Sequence, residues 1–279
     1  MSVKTYSAVA LAVFAVGSAQ AAGFVNGGFE DGTISGWTKD GGTIASGGSG
    51  SFSCTQNVNC NASVLLTAAN YTGASTIHQN NDFTATHNAA AASVTVTNAG
   101  FDSNTGNALS TVRYGNHSVR VNDPVNNESV SLLQQSVTNY TASTINFSWA
   151  AVLFDSHGPT DSDEFKIELH DDTTNTTVYA AAFNSTVSGG IFHALGSVNW
   201  SDWQDQAIAV TAGHNFTLTL LAADCPYGGH QGYVYLDGFG SQAGGGGDGS
   251  VPEPASLALV GLALFGAAGA SRGRKALKA

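Results

Sequence analysis

The chain of 279 residues carries 20 acidic residues against nine Lys and Arg, a formal net charge of −11. Four of those nine basic residues lie in the last eight positions, so residues 22–252 hold 19 Asp and Glu against only Lys39, Arg113, Arg120 and Lys166, a net of −15. A body this acidic repels phosphate backbones, which sets nucleic acid aside as a partner and favours a hard cation such as calcium, or a neutral polymer such as polysaccharide.

The first 21 residues, MSVKTYSAVALAVFAVGSAQA, place Lys4 before an apolar stretch from Ala8 to Val16, then small residues at Ala19 and Ala21. That order of charge, apolar run and small residues is the layout of a secretory signal peptide helix cleaved after Ala21, and it predicts an exported protein. Residues 22–242 follow as one domain rich in Thr, Ser, Asn, Val and Gly, a composition that favours strands and turns over helices. A first strand is predicted over 24–30. Residues 40–90 show little alternation and read as a long variable insertion. Within it Cys54 and Cys60 enclose TQNVN, a loop that a disulfide can close in an oxidising compartment. Cys225 is left over, with its state open.

Further strands are predicted over 93–97, 117–122 and 129–137. In TINFSWAAVLF, Ile145, Phe147, Trp149, Ala151 and Leu153 share one face, with Asn146 and Ser148 on the other. EFKIELHD alternates in the same way through Phe165, Ile167 and Leu169, as does HNFTLTLLAAD through Phe216, Leu218 and Leu220. Each of these has the period of two expected of a strand with one wet face. Runs at 177–183, 206–211 and 231–239 complete the set, separated by turn clusters such as NDPVNN, HGPTDSD and CPYGG. Nine or ten antiparallel strands in one domain predict an all-β fold, a two-sheet antiparallel sandwich. Residues 243–250, AGGGGDGS, form a Gly-rich linker. Residues 251–279 then close the chain with Pro252-Glu253-Pro254, an apolar run from Leu257 to Ala270, and a basic cluster of Arg272, Arg274 and Lys275. That run is shorter than the roughly 20 residues of a permanent membrane helix.

Two resemblances attach to these residues. NGGFEDGTISGWT (26–38), GNHSVRVNDPVNNESVSLLQQSV (115–137) and residues 203–240 resemble strands of the galactose-binding-like jelly rolls found in extracellular carbohydrate-binding modules. Such jelly rolls often hold a structural calcium between their first and last strands through an early Glu and a late Asp. Glu30 and Asp237 match those positions, and ordinary solvated carboxylates are the competing reading. The C-terminal segment resembles the PEP-CTERM sorting signal of Gram-negative bacteria that make exopolysaccharide. The resemblance implies recognition by a membrane-embedded exosortase, transient insertion in the inner membrane through residues 257–270, and delivery to the cell surface or extracellular matrix. Arg272, Arg274 and Lys275 would then stay on the cytoplasmic side.

Sugar sites need an aromatic ring to stack on a pyranose and polar groups to bond its hydroxyls. Trp200 and Trp203 in NWSDWQ, and Tyr227 and His230 in CPYGGHQ, are the ligand-binding candidates, because their sequence is turn-like. Aromatics that close the ends of the sandwich are the competing reading. Trp37 and Trp149 lie in alternating sequence and read as core. The loop carrying Asp155, Asp161, Asp163 and Glu164 reads as a solvated acidic hairpin. Residues 22–250 contain no HExxH, no GxSxG and no phosphate-binding glycine loop. The sequence thus predicts a non-catalytic exported protein that binds polysaccharide or forms part of the exopolysaccharide or biofilm matrix. The alternative is a calcium-dependent adhesion module without sugar specificity, and a glycan-active enzyme comes third.

Overall fold

The computed structural model describes residues 23–44, 74–76, 84–87, 89–154, 162–184, 190–225 and 230–240, all within one compact unit, Ala22–Gly249. Among the described residues fourteen strands occur in chain order: β1 (Thr38–Ile44), β2 (Ala74–Thr76), β3 (Thr84–His87), β4 (Val94–Asn98), β5 (His117–Val121), β6 (Ser129–Val137), β7 (Thr144–Phe154), β8 (Glu164–Asp171), β9 (Thr176–Asn184), β10 (Phe192–Leu195), β11 (Val198–Ser201), β12 (Gln204–Ala209), β13 (Phe216–Ala223) and β14 (Tyr233–Gly240). They build two sheets of seven strands. The first runs β2-β3-β1-β6-β13-β8-β9. The second runs β10-β11-β7-β14-β5-β4, with β12 paired to the other half of β7. Every pairing is antiparallel, and the chain passes repeatedly from one sheet to the other, at β3 to β4, β5 to β6, β6 to β7, β7 to β8, β9 to β10, β12 to β13 and β13 to β14, as in a jelly-roll sandwich.

The period-two patterns decide which side chains meet between the sheets. Phe147, Trp149, Ala151 and Leu153 of β7 face Phe165, Ile167 and Leu169 of β8 and Phe216, Leu218 and Leu220 of β13 in a single buried cluster. Each large side chain removed from water there contributes about 1.5–3 kcal/mol. The indole of Trp149 lies in this layer and donates Nε1–H to the Tyr179 hydroxyl at 3.1 Å, so its one polar atom is satisfied. Trp37 is buried too, and donates to the Asn26 carbonyl at 3.2 Å.

Several expectations change. Residues 24–30 form consecutive turns, not a strand, because Asn26 and Phe29 adopt positive φ of 52° and 58°. The segment plugs one end of the sandwich. Phe24 packs on Phe239 at 4.0 Å between ring centroids, and Phe239 N donates to Gly27 O at 3.0 Å. A Cβ on Gly27 would overlap the Phe239 carbonyl, so only glycine fits this approach. The 40–90 segment also supplies ordered edge structure to the first sheet, through most of β1 and all of β2 and β3. Asn146 and Ser148 are buried, not wet, for a reason given below. Asp163 and Glu164, expected in a solvated loop, are buried as well, with Glu164 opening β8. The signal peptide, Asp155, Asp161, Cys54, Cys60, Tyr227, the linker and the C-terminal segment lie outside the described residues. Among the described residues no helix is long and apolar enough to cross a membrane.

A polar node ties the two sheets together at the end opposite the plug. Asn122, buried at φ 71°, donates Nδ2–H to Asp224 Oδ1 and to Gly232 O, both at 2.8 Å. Its Oδ1 accepts from the hydroxyls of Ser129 (2.7 Å) and Ser131 (2.9 Å). Asp163 sits beside this node, accepting from Phe154 N and Cys225 N at 2.7 Å each, and Cys225 is a buried thiol. Burial pushes Asp163 up to about 7 and raises Asp224 well above its ordinary value. Asn122→Ala removes four hydrogen bonds at once, takes these partners from the Gly232 carbonyl and the Ser131 hydroxyl, and puts at left-handed φ a residue that tolerates it less well than asparagine. We expect a loss of about 3 kcal/mol in urea unfolding. A loss under about 1 kcal/mol would show the node to be dispensable.

Candidate functional site

On the second sheet Tyr233, Tyr235 and Asp237 of β14 point away from the core, alternating with the inward Val234 and Leu236. The register sets Arg120 of β5 and Ala150 of β7 on either side of Tyr235, and Val152 beside Tyr233. An outward face with two phenols and several alanines and valines would be exposed apolar surface. The connection between β4 and β5, residues 99–116, covers it. Leu109 of that arm packs into a cluster with Ala150, Val152, Trp200, Tyr233 and Tyr235.

Asp102 fastens the arm. Its Oδ1 accepts from Asn104 N at 2.8 Å, capping a short 3₁₀ turn over Ser103–Thr105 that Gly106 ends at φ 67°. Its Oδ2 accepts from the hydroxyls of both Tyr233 and Tyr235 at 2.8 Å. Asn104 Nδ2–H then donates back to the Tyr233 oxygen at 2.8 Å. Burial, reinforced by the Asp102 charge, raises both phenols so that they stay protonated and keep donating. Trp203 pins the returning strand of the arm, its Nε1–H donating to Ser110 O at 2.9 Å.

The arm leaves a groove of about 600 Å³ along its flank, between β4, the 100–104 segment and the outward side chains of β5 and β14. Phe101 stands at this groove with 66% of its surface exposed, the most open large apolar side chain among the described residues. Thr97, Asn98, Asn104 and Thr111 supply hydroxyls and amides. Arg120 lines it as the one cation, with its guanidinium 5.5 Å from the Tyr233 ring centre and its Nε buried without a partner. Asp102 is the only carboxylate of the lining, and both its oxygens are already committed.

A second, polar cluster lies lower on the same face. Arg113 reaches Asp205 through Nε at 3.0 Å and Nη2 at 2.6 Å, and Ser148 Oγ donates to Asp205 at 2.7 Å. Beneath it Asp237 Oδ2 accepts from Arg113 N (2.9 Å) and Tyr114 N (2.8 Å), while Asp237 Oδ1 is buried with no partner. Burial pushes Asp237 up to about 7 against the pull of those amides, and the Glu30 charge adds to the rise. Glu30 takes the amides of Asn116 and His117 at 2.9 Å each. Burial raises it, but these hydrogen bonds win and hold it below the usual carboxylate range. The structure therefore brings Glu30 and Asp237 into electrostatic contact around the 113–117 turn. No group of three His, Cys, Asp or Glu side chains suited to a metal occurs among the described residues, so further ligands for a cation would be carbonyl or water oxygens.

The predicted aromatics fare differently. Trp200 lies in β11, not in a turn, and is buried with the His193 ring against it, tilted by 31° at 4.3 Å between centroids. Trp203 is half-buried in the arm contact, and His230 is half-buried just before β14, so these three do not share one pocket. The groove residues Phe101, Asn104 and Arg120 were not singled out from sequence.

Residues 250–275 match the PEP-CTERM protein-sorting motif. No curated protein matches the chain. Among solved structures, a family 61 carbohydrate-binding module in complex with β-1,4-galactotriose is 12% identical, covers 77% of this chain and 92% of its own, and has a TM-score of 0.36. A carbohydrate-binding module of the β-sandwich superfamily with promiscuous specificity is 11% identical over 77% of this chain and 60% of its own, TM-score 0.35. A family 27 module from Caldicellulosiruptor saccharolyticus in complex with mannohexaose is 13% identical over 54% of this chain and 82% of its own, TM-score 0.32.

The arm's anchorage has a direct readout. In an alkaline titration followed by tyrosinate absorbance, Tyr140, Tyr179, Tyr233 and Tyr235 should stay protonated after exposed phenols ionise near pH ~10. Asp102→Asn removes the neighbouring charge and should bring the ionisation of Tyr233 and Tyr235 to lower pH. An unchanged titration would show that Asp102 does not hold the phenols.

Proposed function

We propose that this chain is an exported, non-catalytic polysaccharide-binding protein, recognised by an exosortase through residues 250–275 and carried to the cell surface or extracellular matrix. The groove beside the 99–116 arm is its glycan site. The observation that carries this reading is the pairing, in one open groove, of the exposed Phe101 ring with Arg120, whose buried Nε lacks a partner. A pyranose offers a C–H face for the ring and an oxygen for the orphan donor, and Asn98, Asn104 and Thr111 can bond its other hydroxyls. Hydrolysis of a glycoside by the usual route needs two carboxylates flanking the bond, whereas this lining has one, engaged by Asn104 and two phenols. Retardation in native gels cast with neutral polysaccharides tests the site. Phe101→Ala should weaken binding about tenfold, equivalent to ~1.4 kcal/mol, and Arg120→Gln by a similar factor. Retardation unaffected by both variants would move the sugar site elsewhere, and its absence from every glycan offered would sink the sugar reading.

The unpartnered Asp237 Oδ1 beside Glu30 supports a second reading, a structural calcium that locks the 113–117 turn to β14. Asp237 ionises at about 7 in the folded protein, well above its unfolded value, so folding favours its protonated form. That stability is complete below pH ~4 and is lost as pH rises through about 7, with buried Asp163 acting in the same direction. In chelator, the thermal midpoint should fall between pH ~5 and pH ~8. Calcium binds the ionised carboxylate, so it should raise the midpoint at pH ~8 but not at pH ~5, and Asp237→Asn should abolish that response. A wild-type midpoint indifferent to calcium at the higher pH would exclude the site.

A further inference from the structure

From Thr173 to Ser201 the sequence contains no Asp, Glu, Lys or Arg, although the body around it carries a net of −15. This neutral stretch holds β9, the last strand of the first sheet, and β10, the last strand of the second. Contact between Phe183 and Phe192, ring centroids 6.0 Å apart, sets the two edges along one flank of the sandwich. An open strand edge offers a row of unpaired backbone groups, and proteins guard such edges with charges, prolines, bulges or brevity. Four of the five edges here are short: β2 has three residues, β10 four, β4 five and β12 six. The fifth, β9, has nine residues, TTVYAAAFN, with β8 as its only strand neighbour among the described residues. Its one irregularity is a register shift opposite Leu169 and His170, near its beginning, and Tyr179 to Phe183 pair regularly. Ala180 and Ala182 are exposed along that part, while Tyr179, Ala181 and Phe183 are packed against the core.

We infer that this flank is a self-association surface, on which a second copy of the chain pairs antiparallel through β9 about a two-fold axis and joins the two seven-stranded sheets. The charge distribution selects the occupant. Two bodies of net −15 repel over most of their surfaces, and the flank built from the stretch without Asp, Glu, Lys or Arg, where His193 pairs with Asp202 at 2.9 Å, is where they approach at least cost. A basic or acidic partner finds no formal charge there to recognise, and a glycan finds no open ring, since Tyr179 and Phe183 turn inward. An isologous strand pair needs only the backbone edge and small neutral side chains, which β9 presents.

Sedimentation velocity of the mature exported protein tests this. The wild type should dimerise reversibly, and more tightly at high salt, because screening weakens the repulsion between the acidic bodies. Ala180→Lys with Ala182→Lys places like charges across the pairing and should weaken the dimer at least ~100-fold, while Ala180→Ser with Ala182→Ser keeps it. The thermal midpoint of the Lys variant reports that it is folded. If it is not, Ala180→Lys alone, which faces Glu168 across β8, replaces it. A wild type that remains monomeric up to about 100 µM overturns the inference, as does a folded Lys variant that dimerises like the wild type.

Discussion

The bond that organises the outer face of the second sheet is the double acceptance by Asp102 of the Tyr233 and Tyr235 hydroxyls. Strand β14 must lie between β5 and β7, so every second side chain of it faces away from the core. Two tyrosines there are tolerable only if their rings are covered and their hydroxyls paired. The 99–116 arm does both, with Leu109 over the rings and Asp102 at the hydroxyls. Covering the face also buries Asn146 and Ser148, and it confines the remaining opening to the strip beside β4. The groove is thus what remains of an exposed sheet face once the sheet has satisfied its own polar atoms.

The sandwich was legible because its inner faces obey a period of two. The limits of β6 were given by SVSLLQQSV itself, and β7, β8 and β13 were marked by alternating Phe, Ile, Leu and Trp. Periodicity says nothing about segments whose geometry comes from turns. Residues 24–30 hold Phe24, Val25 and Phe29 without regular alternation, and positive φ at Asn26 and Phe29 turns them into a plug. Trp200 stood in sequence that reads as a turn because Asn199, Ser201 and Asp202 flank it. It is a strand residue covered by the arm, and that covering is a long-range fact. Arg120 and Asn104 were invisible for a similar reason. Arg120 sits in ordinary alternation, and Asn104 in FDSNTGNAL, where Asp102 before SNT and Gly106 after it were the only local signs of a capped turn. Of the predicted site residues, Glu30 and Asp237 do converge in space, which their positions in the first and last segments of the body allowed.

Acidity works differently at the surface and inside. Outside, it governs which bodies can approach and where. Inside, Asp163, Asp224 and Asp237 are each raised by burial, Asp163 and Asp237 to about 7 and Asp224 well above the usual carboxylate range. Backbone amides supply most of their partners, which costs the sequence few basic residues. Only Lys39, Arg113, Arg120 and Lys166 serve the whole body, and Arg113 and Arg120 both belong to the outer face of the second sheet.

The placement of β14 has a mechanical meaning. It is the last strand of the sandwich, yet it is not an edge strand, for β5 pairs with it on one side and β7 on the other. Tension applied to the chain beyond Gly240 therefore pulls β14 along its own axis, loading two ladders of hydrogen bonds together in shear, not peeling one bond at a time. The same strand carries Tyr233 and Tyr235 beneath the groove. Force entering from the tail and force entering from a bound polymer would meet in one strand, held from both sides and plugged by Phe24 at its end.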